Sequence, residues 1–181
     1  MHPVDVLQQE HDFIERLCAV LSKLVEAARR KEPVSREALE RIIALFRERV
    51  DLVHHEKEET VLFDELGRAG VNWTSDAMTR IRTEHQQERY LIRSLRHSAL
   101  QQEEWTESDR QSFVSIGAEL LELQHRHLEQ EQAHLFPLAR DRLPAGRVDA
   151  VLLDFEKLER QGMDCAVAAS TLEALERQYL S

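Results

Sequence analysis

Apolar side chains recur along this chain at alternating spacings of three and four, the period of amphipathic helices; the period-two alternation of strands is nearly absent. Leu7, Ile14, Cys18, Leu21 and Val25 draw one stripe from Val4 to about Arg30, with His11 set inside it. Leu39, Ile43, Phe46 and Val50 draw a second, which resumes at Val61 and Leu62 and ends near Leu66; between its halves the same face carries His54 and Glu58. A third helix is predicted from about Asp76 to Glu103 on Met78, Ile81, Ile92, Leu95 and Ala99, with His85 in the stripe. A fourth runs to about Arg140 on Phe113, Gly117, Leu120, Gln124, His127, Glu131 and Leu135. Two shorter segments, Val148 to Gln161 and Cys165 to Leu180, close the chain without a histidine.

The breaks between stripes carry matching signals. Lys31-Glu32-Pro33 interrupts the first and second helices, Ser35 caps the second with Glu37 in its first turn, and Gly67 and Gly70 bracket the next turn. Thr74 or Ser75 caps the third helix, and Thr106 caps the fourth with Asp109 reaching back. Trp73 and Trp105 flank loops, where they seal the ends of the helices, and Pro137 kinks or ends the fourth. Phe46, Phe63, Phe113 and Tyr90 are expected in the core. The predicted fold is all-α: an up-down-up-down four-helix bundle over residues 1–143, followed by a helical extension, 144–181, that packs across the bundle or forms a homodimer face.

Composition narrows the function. Only 5 glycines and 4 prolines among 181 residues suit a helical protein of one domain. A net charge of −10 argues against nucleic acid, whose phosphates require a basic face. Cys18 and Cys165 form no disulfide framework or C-x-x-C, which suits a reducing cytoplasm, and both read as inert packing thiols. The N-terminus lacks the profile of a secretion signal and no run of about 18 apolar residues can span a bilayer, so a soluble cytoplasmic protein is expected.

The chemistry lies in the polar residues inside the apolar stripes. Unpartnered, a buried histidine and glutamate would cost several kcal/mol, roughly, so a bound cation is the economical explanation. His54-x-x-x-Glu58 places an imidazole and a carboxylate on one face, about 6 Å apart along the axis, and His127-x-x-x-Glu131 repeats it. Phe63 and Phe136 align at an offset of 73, as do His54 with His127 and Glu58 with Glu131; Glu10-His11 maps onto Glu84-His85 at 74. Two similar hairpins thus each contribute one histidine from their first helix and a His-x-x-x-Glu from their second. The inward set is His11, His54, Glu58, His85, His127 and Glu131, with His55 beside His54. It exceeds one tetrahedral zinc and suits two adjacent transition ions, iron above all, that share both carboxylates and keep a coordination position free.

These residues, together with His55-Glu56-Lys57-Glu58-Glu59 before Val61-Leu62-Phe63 and Leu135-Phe136-Pro137 after Glu131, resemble the hemerythrin-like, or HHE cation-binding, family over roughly residues 8 to 140. The resemblance implies a hemerythrin-like bundle holding two iron ions as an oxygen-bridged di-iron centre, with dioxygen or a related small oxidant as partner. It carries over His11, His54, His55, Glu58, His85, His127 and Glu131 as ligands. On an α-helix His55 points about 100° from His54, and its counterpart in the second copy is Leu128, so a His55-x-x-x-Glu59 register stands beside His54-x-x-x-Glu58. The sequence departs from the oxygen carriers of the family, which pair a bridging Glu with an Asp and place two histidines one turn apart on the third helix. Here the second carboxylate is Glu131, and residue 89, one turn past His85, is arginine. Sensing of dioxygen, peroxide or nitric oxide, or iron handling, is therefore expected as readily as oxygen carriage. A binding role is expected over turnover; the alternative is a ferritin-like di-iron oxidase using Glu131-x-x-His134. A third alternative is a helical interaction module whose buried histidines are satisfied by neighbouring glutamates.

Overall fold

The computed structural model describes residues 1–72, 76–101 and 104–180, leaving aside the side chains of Asp76 and Ala77, and the regular elements among them are all helical. α1 (Pro3–Arg29) begins at a capping box in which the His2 ring accepts from the Val4 amide and Asp5 reaches back to the His2 amide. It ends just before Lys31, whose φ of 62° turns the chain out of the helix. α2 covers residues 36–68 and is not α-helical throughout. An α-helical stretch, Arg36–Leu45, capped by Ser35, passes into π-helical turns at Phe46–His55 and Lys57–Leu62 before the α-helix resumes at Phe63–Arg68. α3 is Asp76–Leu100. α4 covers residues 107–142: Glu107–Gln130 with the Thr106–Asp109 capping box, a π turn at Glu131–Leu135, then Phe136–Arg142. Pro137 therefore neither ends the helix nor stands in an undisturbed α-ladder, because the wider turn before it absorbs the missing amide donor.

Past Leu143 a single 3-10 turn, Ala145–Arg147, leads into α5 (Val148–Glu159) and α6 (Cys165–Tyr179). α4 packs along both α1 and α3, while α5 lies on the π turns of α2 and α6 on α1 and the start of α2. Apolar burial forms two clusters. One holds Ile14, Leu21, Phe46, Leu95, Phe113 and Leu120; the other holds Leu7, Phe63, Met78, Leu135, Phe136 and Phe155. Between them lies a layer of buried polar side chains, so the elements that build the core also seal this layer on both sides.

Two expectations about single residues change. Tyr90 is 63% exposed rather than core, as its place off the apolar stripe of α3 allows. Cys165 is exposed and so is not a packed thiol, whereas Cys18 packs against the first apolar cluster as expected. Trp105 does pack at a helix end, against Phe113 with ring centroids 4.8 Å apart and its indole N–H on the Ala99 carbonyl at 3.0 Å. Trp73 and the Thr74 or Ser75 cap lie outside the described residues. No helix among the described residues is long and apolar enough to cross a membrane.

Candidate metal centre

All seven side chains singled out from the sequence meet in the polar layer. His11 comes from α1, His54, His55 and Glu58 from α2, His85 from α3, and His127 and Glu131 from α4; each is at most 1% exposed. The doubled histidine faces inward as a pair. An α-helix would set the two about 100° apart, the width of one broad inward face, and the π turns in which they lie wind slightly less per residue. His55 stacks on His85 with ring centroids 3.9 Å apart, and the ligand atoms of His55, His85 and His127 lie within 4.8 Å of one another. His55 thus joins His85 and His127 on one side of the cluster, while Arg89, one turn past His85, pairs with Asp51 and Glu59. The two registers left open on α2 also separate here. Glu58 turns to the cluster, while Glu59 takes an outer role at 2.6 Å from His85 Nδ1.

The carboxylates sit between two groups of imidazoles. Glu131 directs Oε2 at His11 Nε2 (3.0 Å) and His54 Nε2 (3.9 Å), and Oε1 at His127 Nε2 (3.1 Å) and His85 Nε2 (3.5 Å). Glu58 Oε2 stands 4.0 Å from His54 Nε2 and 3.4 Å from His85 Nε2. Two sets of potential ligands result, His11, His54, Glu58, Glu131 and Glu58, His85, His127, Glu131, which share both carboxylates. Their atoms are left without ordinary partners. Both oxygens of Glu58 and Glu131 and both ring nitrogens of His11 and His55 are buried, and none has the angular geometry of a hydrogen bond even where, as for Glu131 with His11 and His127, an ion-pair partner is close. Orphaned acceptors in this number are what a bound cation would satisfy.

An outer ring of carboxylates orients the imidazoles. His54 Nδ1 donates to Glu10 Oε2 at 2.9 Å, His85 Nδ1 to Glu59 Oε1 at 2.6 Å, and His127 Nδ1 lies 3.3 Å from Glu84 Oε2. With the proton held on Nδ1, each Nε2 presents a lone pair inward, the arrangement by which carboxylates tune metal-binding histidines. The repeated Glu-His dipeptides explain themselves: Glu10 serves the histidine of α2, and Glu84 that of α4. As a result His85 Nε2 and His127 Nε2 face each other at 3.1 Å, close enough for the extra proton on His127, or a metal in its place, to lie between them. Two lone pairs at that distance repel unless a cation or a proton lies between them.

The acid–base properties carry the same tension. Burial and the facing Glu131 push Glu58 well above the usual carboxylate range, while Glu131 is held low against burial by His127, His11 and His54. Burial lowers His11 and His85. Against burial, Glu131 and Glu84 raise His127 to about 10, and Glu88 and Asp51 raise His55 to about 9. Two further polar residues reach this layer. Glu88, 1% exposed, brings Oε2 to 3.3 Å from His55 Nε2, and Gln124, also 1% exposed, has no partner for its amide. Glu88 fills the helical position between His85 and Ile92 on the stripe of α3, a signal the sequence offered; Gln124 already stood in the stripe of α4. His125 (79% side-chain exposure) and His134 are exposed, so the Glu131-x-x-His134 pair of a ferritin-like oxidase is not assembled.

A family model for the hemerythrin HHE cation-binding domain matches residues 2–139. The chain belongs to the hemerythrin HHE cation-binding family. No curated protein and no solved structure matches it at a significant level. The HHE match spans α1 through most of α4, which supply every member of the buried cluster, and stops before α5 and α6. Within this HHE chain the clustered histidines and glutamates mark a metal-binding function.

Proposed function

We propose that this HHE protein binds two iron ions side by side and uses them to bind or sense dioxygen, peroxide or nitric oxide, or to handle iron, in the reducing cytoplasm. The four long helices act as an up-down-up-down bundle that carries the site in its middle. His11 and His54 would hold one ion, His55, His85 and His127 the other, with Glu58 and Glu131 shared between them. Iron supplies the redox change and the affinity for small oxidants. The protein supplies a dry, enclosed pocket, neutralising carboxylates, and imidazoles fixed by Glu10, Glu59 and Glu84. The two halves are unequal, since the first offers one imidazole fewer, and a small ligand would bind at the ion held there. The observation that carries the reading is the convergence of two sets of buried ligand atoms, His11, His54, Glu58, Glu131 and Glu58, His85, His127, Glu131, on the same two carboxylates. Loading the protein anaerobically with ferrous iron and adding nitric oxide or dioxygen tests it. A saturable change in the optical spectrum is expected; iron-loaded protein with an unchanged spectrum would refute ligand binding.

A further inference from the structure

The segment beyond the family match reaches the centre through a buried lysine. Lys57 is 0% exposed, and its ammonium is gripped by the carboxylates of Glu10 on α1 and Glu159 at the end of α5. A lysine is almost never enclosed unless paired, and these two partners lead in opposite directions. Glu10 accepts from Nδ1 of His54 at 2.9 Å. Glu159 accepts from Arg49 Nη1 at 2.8 Å and from the Cys165 thiol at 3.1 Å, at the start of α6. The enclosure is itself made by the tail, since the Phe155 ring of α5 lies 5.5 Å from Lys57 Nζ. Arg49 also donates to the Met163 carbonyl in the α5–α6 connection at 3.1 Å. Polar contacts therefore run without a gap from the imidazole on one side of the centre to the tail: His54, Glu10, Lys57, Glu159, Arg49.

We propose that Glu159 is a positioning residue for the metal centre, acting through Lys57 and Glu10 on His54, so that metal binding and docking of the α5–α6 tail favour each other. The inference rests on the metal-binding reading above. If the tail withdraws, the Lys57 ammonium loses both a carboxylate and its cover, and Glu10, which aims the imidazole, is left to follow it toward solvent. By linkage the effect runs both ways: metal that fixes His54 and Glu10 also fixes the seat for Glu159. A second tether separates this relay from mere attachment. Arg16 on α1 binds Glu176 on α6 at 2.6 Å and touches neither Lys57 nor Glu10.

The full-length chain is titrated with ferrous iron under anaerobic conditions, and amide hydrogen exchange across residues 148–179 is followed with and without the metal. In the wild type, iron should slow exchange in α5. Glu159→Gln should weaken iron binding at least about fivefold and remove the metal-dependent protection of α5. Lys57→Met, which frees Glu10 from its cation, should weaken it by on the order of tenfold, the lower end of what disturbing an outer partner of a ligating histidine does, and Lys57→Arg should recover part of that loss. Glu176→Gln should leave iron affinity within twofold of wild type. Equal iron affinity in wild type and Glu159→Gln, an equal loss in Glu176→Gln, or α5 exchange indifferent to metal would each overturn the proposal. If wild type bound no iron, the metal-centre reading would fail first and this proposal with it. Should Lys57→Met not fold, as judged by circular dichroism, the isosteric Glu159→Gln decides alone.

Discussion

Replacing Glu58 by leucine separates a metal centre from a structural ion pair, because the two accounts predict opposite signs. Glu58 is completely buried, and neither oxygen has a hydrogen-bond partner. Leaving a buried polar group unsatisfied costs about 1–3 kcal/mol, and exchanging a buried ionic group for an apolar one of similar volume is commonly neutral or stabilising by about 1–4 kcal/mol. His85 keeps Glu59, and His54 keeps Glu10, after the change. Metal-free Glu58→Leu should therefore be more stable than metal-free wild type by about 2 kcal/mol, a rise in melting temperature of about 4–8 °C for a domain of this size. With iron at a thousand times its dissociation constant, wild type gains about 4 kcal/mol that the variant does not, and the order reverses. Melting followed by circular dichroism, in chelator and in anaerobic ferrous iron, reads both halves. A metal-free variant that melts below metal-free wild type would refute the reasoning and return Glu58 to the role of a structural partner for its histidines, as in a metal-free interaction module.

Other outcomes follow from the same geometry. Because His127 is raised to about 10 and His55 to about 9, the metal-free centre holds protons at pH 7 that a metal must displace, so apparent metal affinity should rise with pH and level off near pH 10; calorimetry in buffers of different ionisation enthalpy would detect the released protons, and their absence would count against ligation by these two residues. Glu84→Ala removes the acceptor for His127 Nδ1 and should weaken metal binding about 10–100-fold with little change in fold, measured by competition with a coloured chelator. Phe136→Ala opens space beneath His11, whose ring lies 4.8 Å away, and should cost about 3–5 kcal/mol in urea unfolding as well as lower metal occupancy. Gln124→Leu removes a buried amide that has no partner and should leave metal content unchanged while raising stability by about 1–3 kcal/mol in urea unfolding of the metal-free protein; a loss of stability would contradict the amide's being unpaired.

The helices and the inward residues were legible because periodicity is local and the polar interruptions repeated at an offset of 73 or 74. What could not be read directly was winding. On an α-wheel His54, Glu58 and His55 fall at about 0°, 40° and 100°, within one broad face, so their spacing carried no trace of the π turns in which they lie. Glu10 and Glu84 were visible as repeated Glu-His dipeptides, but each serves a histidine on another helix, a pairing that depends on how the helices are set side by side. Lys57 was beyond reach: within His55-Glu56-Lys57-Glu58-Glu59 it reads as part of a solvated charge run, and its burial depends on Glu159, 102 residues away. For the same reason the tail, with no histidine of its own, gave no sign of contact with the centre.

The most direct test of the central claim is a crystal structure of iron-loaded protein with anomalous scattering measured at the iron edge. Two peaks are predicted, one beside His11 and His54 and one among His55, His85 and His127, both in contact with Glu58 and Glu131. A single peak, or none within this polar layer, would contradict a two-metal centre.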